Sequence, residues 1–223
     1  MLHGSGFNWS DVHDQLKFQG RTSILRVNYR STREIGEAAQ SYLAAGQLDG
    51  EQIERTYVNN GPLPVIRKIQ SGGDEVQLLA RFLPAAAHEF RLNIGSCAVL
   101  CPTNNADKAL ATELSQRGVP ATFMSGQDLK LGQPGVKVLT LKSAKGLEFP
   151  IVSLAGFSNG GGWYTNVPTN VSADEREEFL AIDRRSMFVG MTRAMRALLV
   201  LVPIQAKSPL LEGFEGEYWN VGE

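Results

Sequence analysis

Residues 136–157, read Val-Lys-Val-Leu-Thr-Leu-Lys-Ser-Ala-Lys-Gly-Leu-Glu-Phe-Pro-Ile-Val-Ser-Leu-Ala-Gly-Phe, constrain the fold more than any other part of the chain. An alternating apolar run breaks into the polar turn Thr140-Leu141-Lys142-Ser143-Ala144-Lys145-Gly146. The carboxylate Glu148 follows, and a second apolar run over 151–155 begins almost at once. This is how an α/β protein displays polar groups at the carboxyl ends of its strands. The chemistry is expected at that turn.

The same logic extends along the chain. Residues 22–27 are β-prone. Ser31 and Thr32 supply N-cap candidates, and Glu34 completes a capping-box pattern with Ser31 for a helix over 33–45, which puts Arg30 at a strand-to-helix turn. A Gly/Asn/Pro-rich connection over 59–64 precedes a strand at 65–70. Helical periodicity over 74–90 is interrupted by Pro84. A strand at 96–101 leads to a helix capped by Thr103 or Asn104, running to Arg117 and stopped by Gly118; a strand over 120–124 follows. After a turn-rich bridge over 127–135 and the two runs described above, the glycine-rich segment 159–162 reads as a mobile loop. Ser172 and Asp174 open a helix with an acidic first turn that extends to Arg193 or Met195, and a strand over 197–202 closes the pattern. Strands separated by helices predict an α/β fold with a mostly parallel sheet covered on both faces. The expected division is an irregular lead-in over 1–20, a lobe over 21–205 and a tail over 206–223.

Composition bounds the function. The chain has 223 residues with 43% apolar content, enough for one substantial core. Lys and Arg total 22 against 23 Asp and Glu. Nucleic acid would therefore have to be met by a local basic patch, not by a globally positive field. No apolar run approaches the roughly 18 residues of a membrane span, and the start lacks the order of a secretory signal, so the expected setting is cytoplasmic with no membrane partner. Cys97 and Cys101 alternate with Val99 on one strand face and read as buried thiols; no further Cys or nearby His could complete a metal site. His3, His13 and His88 are scattered. Of Trp9, Trp163 and Trp219, the one that most invites a base-stacking test is Trp163, which follows Gly160-Gly161-Gly162.

Three basic constellations lie at expected element ends: Asn28-Tyr29-Arg30-Ser31, Lys142-Ser143-Ala144-Lys145-Gly146, and Arg184-Arg185 with Arg193. Taken singly, each reads better as a surface ion pair. Together they could surround an anion, for which the planar, permanently charged guanidinium fork is suited.

These residues resemble the carboxyl-terminal motor lobe of superfamily-one DNA helicases of the UvrD/Rep/PcrA kind. Leu25-Arg26-Val27-Asn28-Tyr29-Arg30-Ser31 looks like the family's fourth motif. Thr140-Leu141-Lys142-Ser143-Ala144-Lys145-Gly146-Leu147-Glu148-Phe149 resembles the fifth, and Asp183-Arg184-Arg185-Ser186-Met187-Phe188-Val189-Gly190-Met191-Thr192-Arg193-Ala194 is similar to the sixth. They occur in the family's order, and the likeness covers residues 21–203.

The resemblance implies a RecA-like lobe that shares ATP with an amino-terminal RecA-like lobe of the same parent protein. Arg30 and Arg193 would act as arginine fingers on the γ-phosphate. Glu148 would accept from the ribose, and Gly146 would serve the geometry of the ATP site. Thr140, Lys142 and Ser143 fall on the side that grips single-stranded DNA, where hydroxyls, amides and a lysine hold phosphates without reading sequence. The family commonly has His at Lys142 and Gln at Val27. Where it often has Tyr-Arg-x-Asn, this chain has Cys101-Pro102-Thr103-Asn104, leaving Asn104, with Lys108 nearby, for the strand. A large helical insertion common before the fifth motif is absent.

Neither a Gly-x-x-x-x-Gly-Lys-Ser/Thr phosphate loop nor a strand-end acidic pair occurs in the sequence, so the Mg²⁺ ligands are expected from the amino-terminal lobe. The chain reads as a part beginning just after the third motif of a longer helicase, with no ATP hydrolysis of its own. Two other readings stand beside it: a non-motor adaptor or regulatory nucleic-acid-binding lobe, and an unrelated α/β nucleotide-binding enzyme that uses Lys145 and Gly146 as its own phosphate site.

Overall fold

Strands and helices alternate as the apolar runs and caps require. In order they are β1 (Val27–Thr32), α1 (Arg33–Ala45), β2 (Thr56–Asn59), β3 (Val65–Ile69), α2 (Gly72–Glu89), β4 (Cys97–Cys101), α3 (Asn104–Gln116), β5 (Ala121–Phe123), β6 (Val136–Thr140), β7 (Phe149–Leu154), β8 (Ser158–Asn159), β9 (Gly162–Trp163), α4 (Ala173–Met191), β10 (Ala194–Pro203) and β11 (Asn220–Gly222). This computed structural model describes residues 27–46, 48, 56–125, 132–159, 162–163, 168 and 170–222, with 158–159 and 162–163 described by backbone alone.

Seven strands form one parallel sheet in the order β11-β3-β10-β7-β4-β6-β5. Parallel neighbours need crossovers, which is why helices cover both faces. Alternation along the central strands sorts the core into two layers. Ala98 and Leu100 of β4 and Leu198 and Val200 of β10 face α1 and α4, meeting Ile35, Tyr42, Met187 and Met191. Cys97, Val99 and Cys101, with Leu199 and Leu201, face α2 and α3, meeting Leu79, Leu83, Leu110 and Leu114. Each fully buried Leu or Ile stabilises the fold by about 1.5–3 kcal/mol. No described helix is long and apolar enough to cross a membrane.

Several sequence expectations change. Arg30 lies within the bounds of β1, where the Asn28 side chain closes a local turn just ahead of α1. The Ser31/Glu34 capping box does not form: Thr32 is the N-cap of α1 with no side-chain cap bond, because Asn28 Nδ2 donates to Ser31 Oγ at 3.1 Å and Glu34 Oε2 accepts from the Gly61 amide at 2.7 Å. α2 runs unbroken through Pro84, which sits on its exposed side. α4 stops at Met191, and β10 starts three residues earlier than expected, at Ala194. The strand placed at 22–27 lies outside the described residues except for Val27, as do the lead-in and the centre of the glycine loop; the flanks of that loop, β8 and β9, pair antiparallel. β2 pairs parallel to β1 and carried no sequence signal.

Residues set apart as a tail build into the lobe. β11 adds to β3, and Leu210, Phe214 and Trp219 are buried against Tyr42. Phe214 stacks on Tyr42 at 4.5 Å between centroids and meets Trp219 edge-on at 5.3 Å. Trp219 is thus a packing residue. At the opposite edge, buried Lys137 donates to the carbonyls of Gly95, Gln133 and Gly135 at 2.7–3.0 Å, and pins the chain's entry into β6.

Candidate functional site

Sheet register brings the first site together. β10 pairs with β7 so that Ala194 faces Phe149, and the Phe149 amide donates to the Arg193 carbonyl at 2.9 Å. Glu148 and Arg193, far apart in sequence, are consequently neighbours. Arg30 reaches the same rim from β1, and its Nε pairs with Glu148 Oε1. The Asn28 side chain shapes this stretch by accepting from the Arg30 and Ser31 amides at 2.9 and 3.3 Å, an Asx-type turn.

Arg193 is half-buried and aimed by its own surroundings. Its Nε donates to Val189 O at 3.1 Å, Nη1 to Leu147 O at 3.2 Å and Nη2 to Thr192 Oγ1 at 3.4 Å. Burial, and then the nearby Arg30 charge, pull its pKa below the usual guanidinium range while Glu148 opposes the shift; an arginine so placed remains charged. The three side chains line a cleft of about 670 Å³ with Tyr29, Tyr57, Phe188 and Met195 among its walls. Tyr57 enters because Gly36 of α1 leaves it room: a Cβ there would lie 2.2 Å from the phenol oxygen. Gly146 does not line this cleft. Its φ of +85° makes the β6–β7 turn, and no heavy atom lies within 4 Å of a Cβ built on it, so its contribution is conformational.

The second region lies beyond α4, on the other side of Val189. Thr140 is buried, with its hydroxyl donating to Ser143 Oγ at 2.9 Å and accepting from the Ser143 amide at 3.0 Å. Thr140 therefore builds the turn that presents Lys142. Exposed Lys142, with Lys145 and Arg185, rims a cleft of about 610 Å³ whose floor includes Leu141, Phe157 and Ile182. Asn104 starts α3 at the end of β4, exposed, where Cys101 is in register with Thr140. Lys108 turns away: its Nζ sits 5.3 Å over the Phe123 ring.

Arg184, grouped from the sequence with the anion-binding arginines, is instead a structural tie. It is 4% exposed, with Nη1 donating to Tyr42 O at 2.7 Å and Glu212 O at 2.8 Å, Nη2 donating to Pro209 O, and the guanidinium 4.7 Å over the Tyr42 ring. Its carbonyl acceptors belong to segments that sequence spacing could not bring together.

Behind the strand ends, burial dominates ionisation. Asp107 is fully buried with no charged partner among the described residues, and burial, opposed by the neighbouring Cys101 thiol, raises its pKa to about 6. The neighbouring Cys101 thiol is raised, and Cys97 is pushed up to about 12, so both thiols are protonated and inert. Glu75, also raised by burial, accepts from the Gly156 amide at 2.7 Å. Among the described residues no group of three or more His, Cys, Asp or Glu is placed to hold a metal. Trp9 and the Trp163 side chain lie outside the described residues.

Sequence reasoning missed Tyr57, because β2 was not recognised, and the place of Phe188 and Val189 as cleft walls, for which the only signal was their position in one motif.

A family model described as the UvrD-like helicase C-terminal domain matches residues 24–131 and 125–203. The chain is 29% identical over 199 residues to the ATP-dependent DNA helicase UvrD1 of Mycobacterium tuberculosis (strain ATCC 25618 / H37Rv), covering 82% of this chain and 23% of that protein. It is 36% identical over 83 residues to the ATP-dependent DNA helicase PcrA of Leuconostoc citreum, covering 37% of this chain and 10% of that one. Over 66 residues it is 44% identical to DNA helicase II of Escherichia coli (strain K12), covering 30% of this chain and 8% of that protein. The chain thus spans at most 23% of these three relatives. Among solved structures, the C-terminal domain of a possible DNA helicase from Lactobacillus plantarum WCFS1 superposes with a TM-score of 0.61 at 22% identity, covering 88% of this chain and 99% of that one; the likeness concerns the fold.

Proposed function

Because the chain belongs to the UvrD-like helicase C-terminal domain family, we propose that it is the second, RecA-like motor lobe of an ATP-dependent DNA helicase or translocase. The observation that carries this reading is the convergence of Arg30, Glu148 and Arg193 on one cleft. Two guanidinium groups there supply fixed positive charge where negative charge accumulates on a transferred phosphoryl group, the arginine-finger arrangement. Glu148 would take a ribose hydroxyl, and Gly146 would hold the turn that carries it. The amino-terminal lobe would provide the phosphate loop and the Mg²⁺ ligands.

Single-stranded DNA would cross the strand-end face, with Lys142, Ser143 and Asn104 meeting phosphates and Thr140 shaping the turn. The apolar floor beneath Lys142, Lys145 and Arg185 suits a nucleobase beside its charged backbone. Arg30→Ala and Arg193→Ala, made in the longer protein carrying this lobe, should each cripple DNA-stimulated ATP turnover while leaving single-strand affinity nearly unchanged. Lys142→Ala should do the reverse. Wild-type turnover in Arg193→Ala would sink the assignment.

A further inference from the structure

The Arg30–Glu148 ion pair spans the mouth of the cleft, with the two side chains 51% and 33% exposed. Packing does not force this meeting. An exposed pair of this kind contributes at most about 1 kcal/mol, which is weak enough to open when a better partner arrives. Arg193, by contrast, is held by the Val189 and Leu147 carbonyls and the Thr192 hydroxyl, and so keeps its place whether or not Glu148 is present. Its charge is nonetheless felt by both members of the pair, unfavourably by Arg30 and favourably by Glu148. One carboxylate thus counters two guanidinium groups that would otherwise repel each other across the cleft.

A phosphate chain entering this cleft competes with Glu148 for the Arg30 guanidinium and is repelled by the carboxylate paired with it. We infer that Glu148 is a positioning residue holding Arg30 in a resting place, and that a nucleotide's phosphate chain takes Arg30 from it, freeing the carboxylate for a sugar hydroxyl. Carboxylate and phosphate compete for one guanidinium, so filling the sugar end and arming the phosphate end are coupled. This rests on the reading of the cleft as a nucleoside triphosphate site.

The test uses the 223-residue chain, labelled so that the arginine Nε–Hε signals are followed by NMR, with inorganic tripolyphosphate and ATP as probes. Tripolyphosphate has no sugar, so Glu148 can only hinder it. Tripolyphosphate should shift the Arg30 and Arg193 signals together, and Glu148→Gln should tighten its binding by roughly fivefold, the size set by an exposed ion pair and diminished by added salt. ATP should gain less, because the sugar loses its acceptor. The tripolyphosphate gain should shrink when Glu148→Gln is made on Arg30→Ala, leaving only the relief of repulsion and the freed Arg193 charge. Equal tripolyphosphate affinity in wild type and Glu148→Gln, with both arginine signals responding, overturns this inference and leaves the cleft's assignment standing. Failure of either arginine to respond to both probes overturns this inference, and wild-type turnover of Arg193→Ala in the longer protein overturns the cleft's assignment with it.

Discussion

Arg184 and Arg193 belong to the same stretch of chain, one within α4 and one just past its end, yet the molecule uses them in opposite ways. Arg184 is buried, and its acceptors are backbone carbonyls of α1 and of the segment after β10. One of these, Tyr42 O, is among the last four carbonyls of α1, which have no partner inside their own helix, so the guanidinium acts as a cap from a distant element. Arg193 is held from behind and faces a cleft it shares with Arg30 and Glu148. A buried guanidinium tied to carbonyls of distant segments stabilises the fold. One that is only half-buried, is held mainly by its own helix end and lines a cleft beside another cation stores electrostatic potential for an anion. Side-chain chemistry is identical in the two cases; the acceptors around it decide the role.

The contrast can be broken most sharply by turnover. In the longer protein carrying this lobe, Arg193→Ala should lower ATP turnover about 10³-fold, the lower range for loss of an arginine finger, as followed by phosphate release. The same substitution in the chain alone should move its urea unfolding free energy by less than about 1 kcal/mol.

Arg184→Ala should show the mirror image. Three carbonyls lose a buried charged donor, and the expected loss of stability is about 3 kcal/mol or more by urea titration. Comparable stability losses from the two substitutions would erase the distinction drawn between them.

A third substitution sharpens it. Gly46, just past α1, leaves space for Arg184: a Cβ there would stand 2.2 Å from its Nε. Gly46→Ala should cost about 1–3 kcal/mol through that clash. If Arg184 is the cause, the cost should shrink when the change is made on Arg184→Ala, a non-additivity that a double-mutant cycle measures.

The smallest effect concerns a buried acid that, unlike Arg184, has no fixed set of backbone partners. Burial holds the Asp107 carboxyl at about 6 in the native state, above its unfolded value of about 4. A raised native pKa means that the native state binds the proton first, so this group's contribution to stability is complete below about pH 4 and fades as pH rises through 6. Unfolding free energy should fall by up to roughly 2 kcal/mol across that interval, and Asp107→Ala should remove most of the slope. Glu75 drifts in the same direction, so the mutant isolates the Asp107 share. An unaltered slope in Asp107→Ala would assign the whole effect elsewhere.

Local signals settled much of the architecture. α1 spans the 33–45 interval given by its pattern, and Thr103 caps α3 through its hydroxyl, because caps and apolar periodicity act over a few residues. Buried strands at 97–101, 136–140 and 149–154 and the alternation of Cys97, Val99 and Cys101 were legible for the same reason. Three ordered motifs identified the family. Elements whose stability comes from distant partners were not legible: β2 and β11 exist by pairing with β1 and β3, and Trp219 is buried beside Phe214, which itself stacks on the distant Tyr42. Pro84 looked like a break, but an exposed proline leaves the apolar stripe of α2 intact, and tertiary packing carried the helix through it.

The sequence alone determined which residues carry charge, where helices and strands can start, and that motifs separated by whole crossovers belong to one lobe. Only the tertiary structure decided which arginine faces a cleft and which is buried as a tie between distant segments, and that Glu148 rests on Arg30. Propensity and capping are properties of neighbours along the chain, whereas burial, acceptor supply and the register that sets Phe149 opposite Ala194 arise from elements meeting through space.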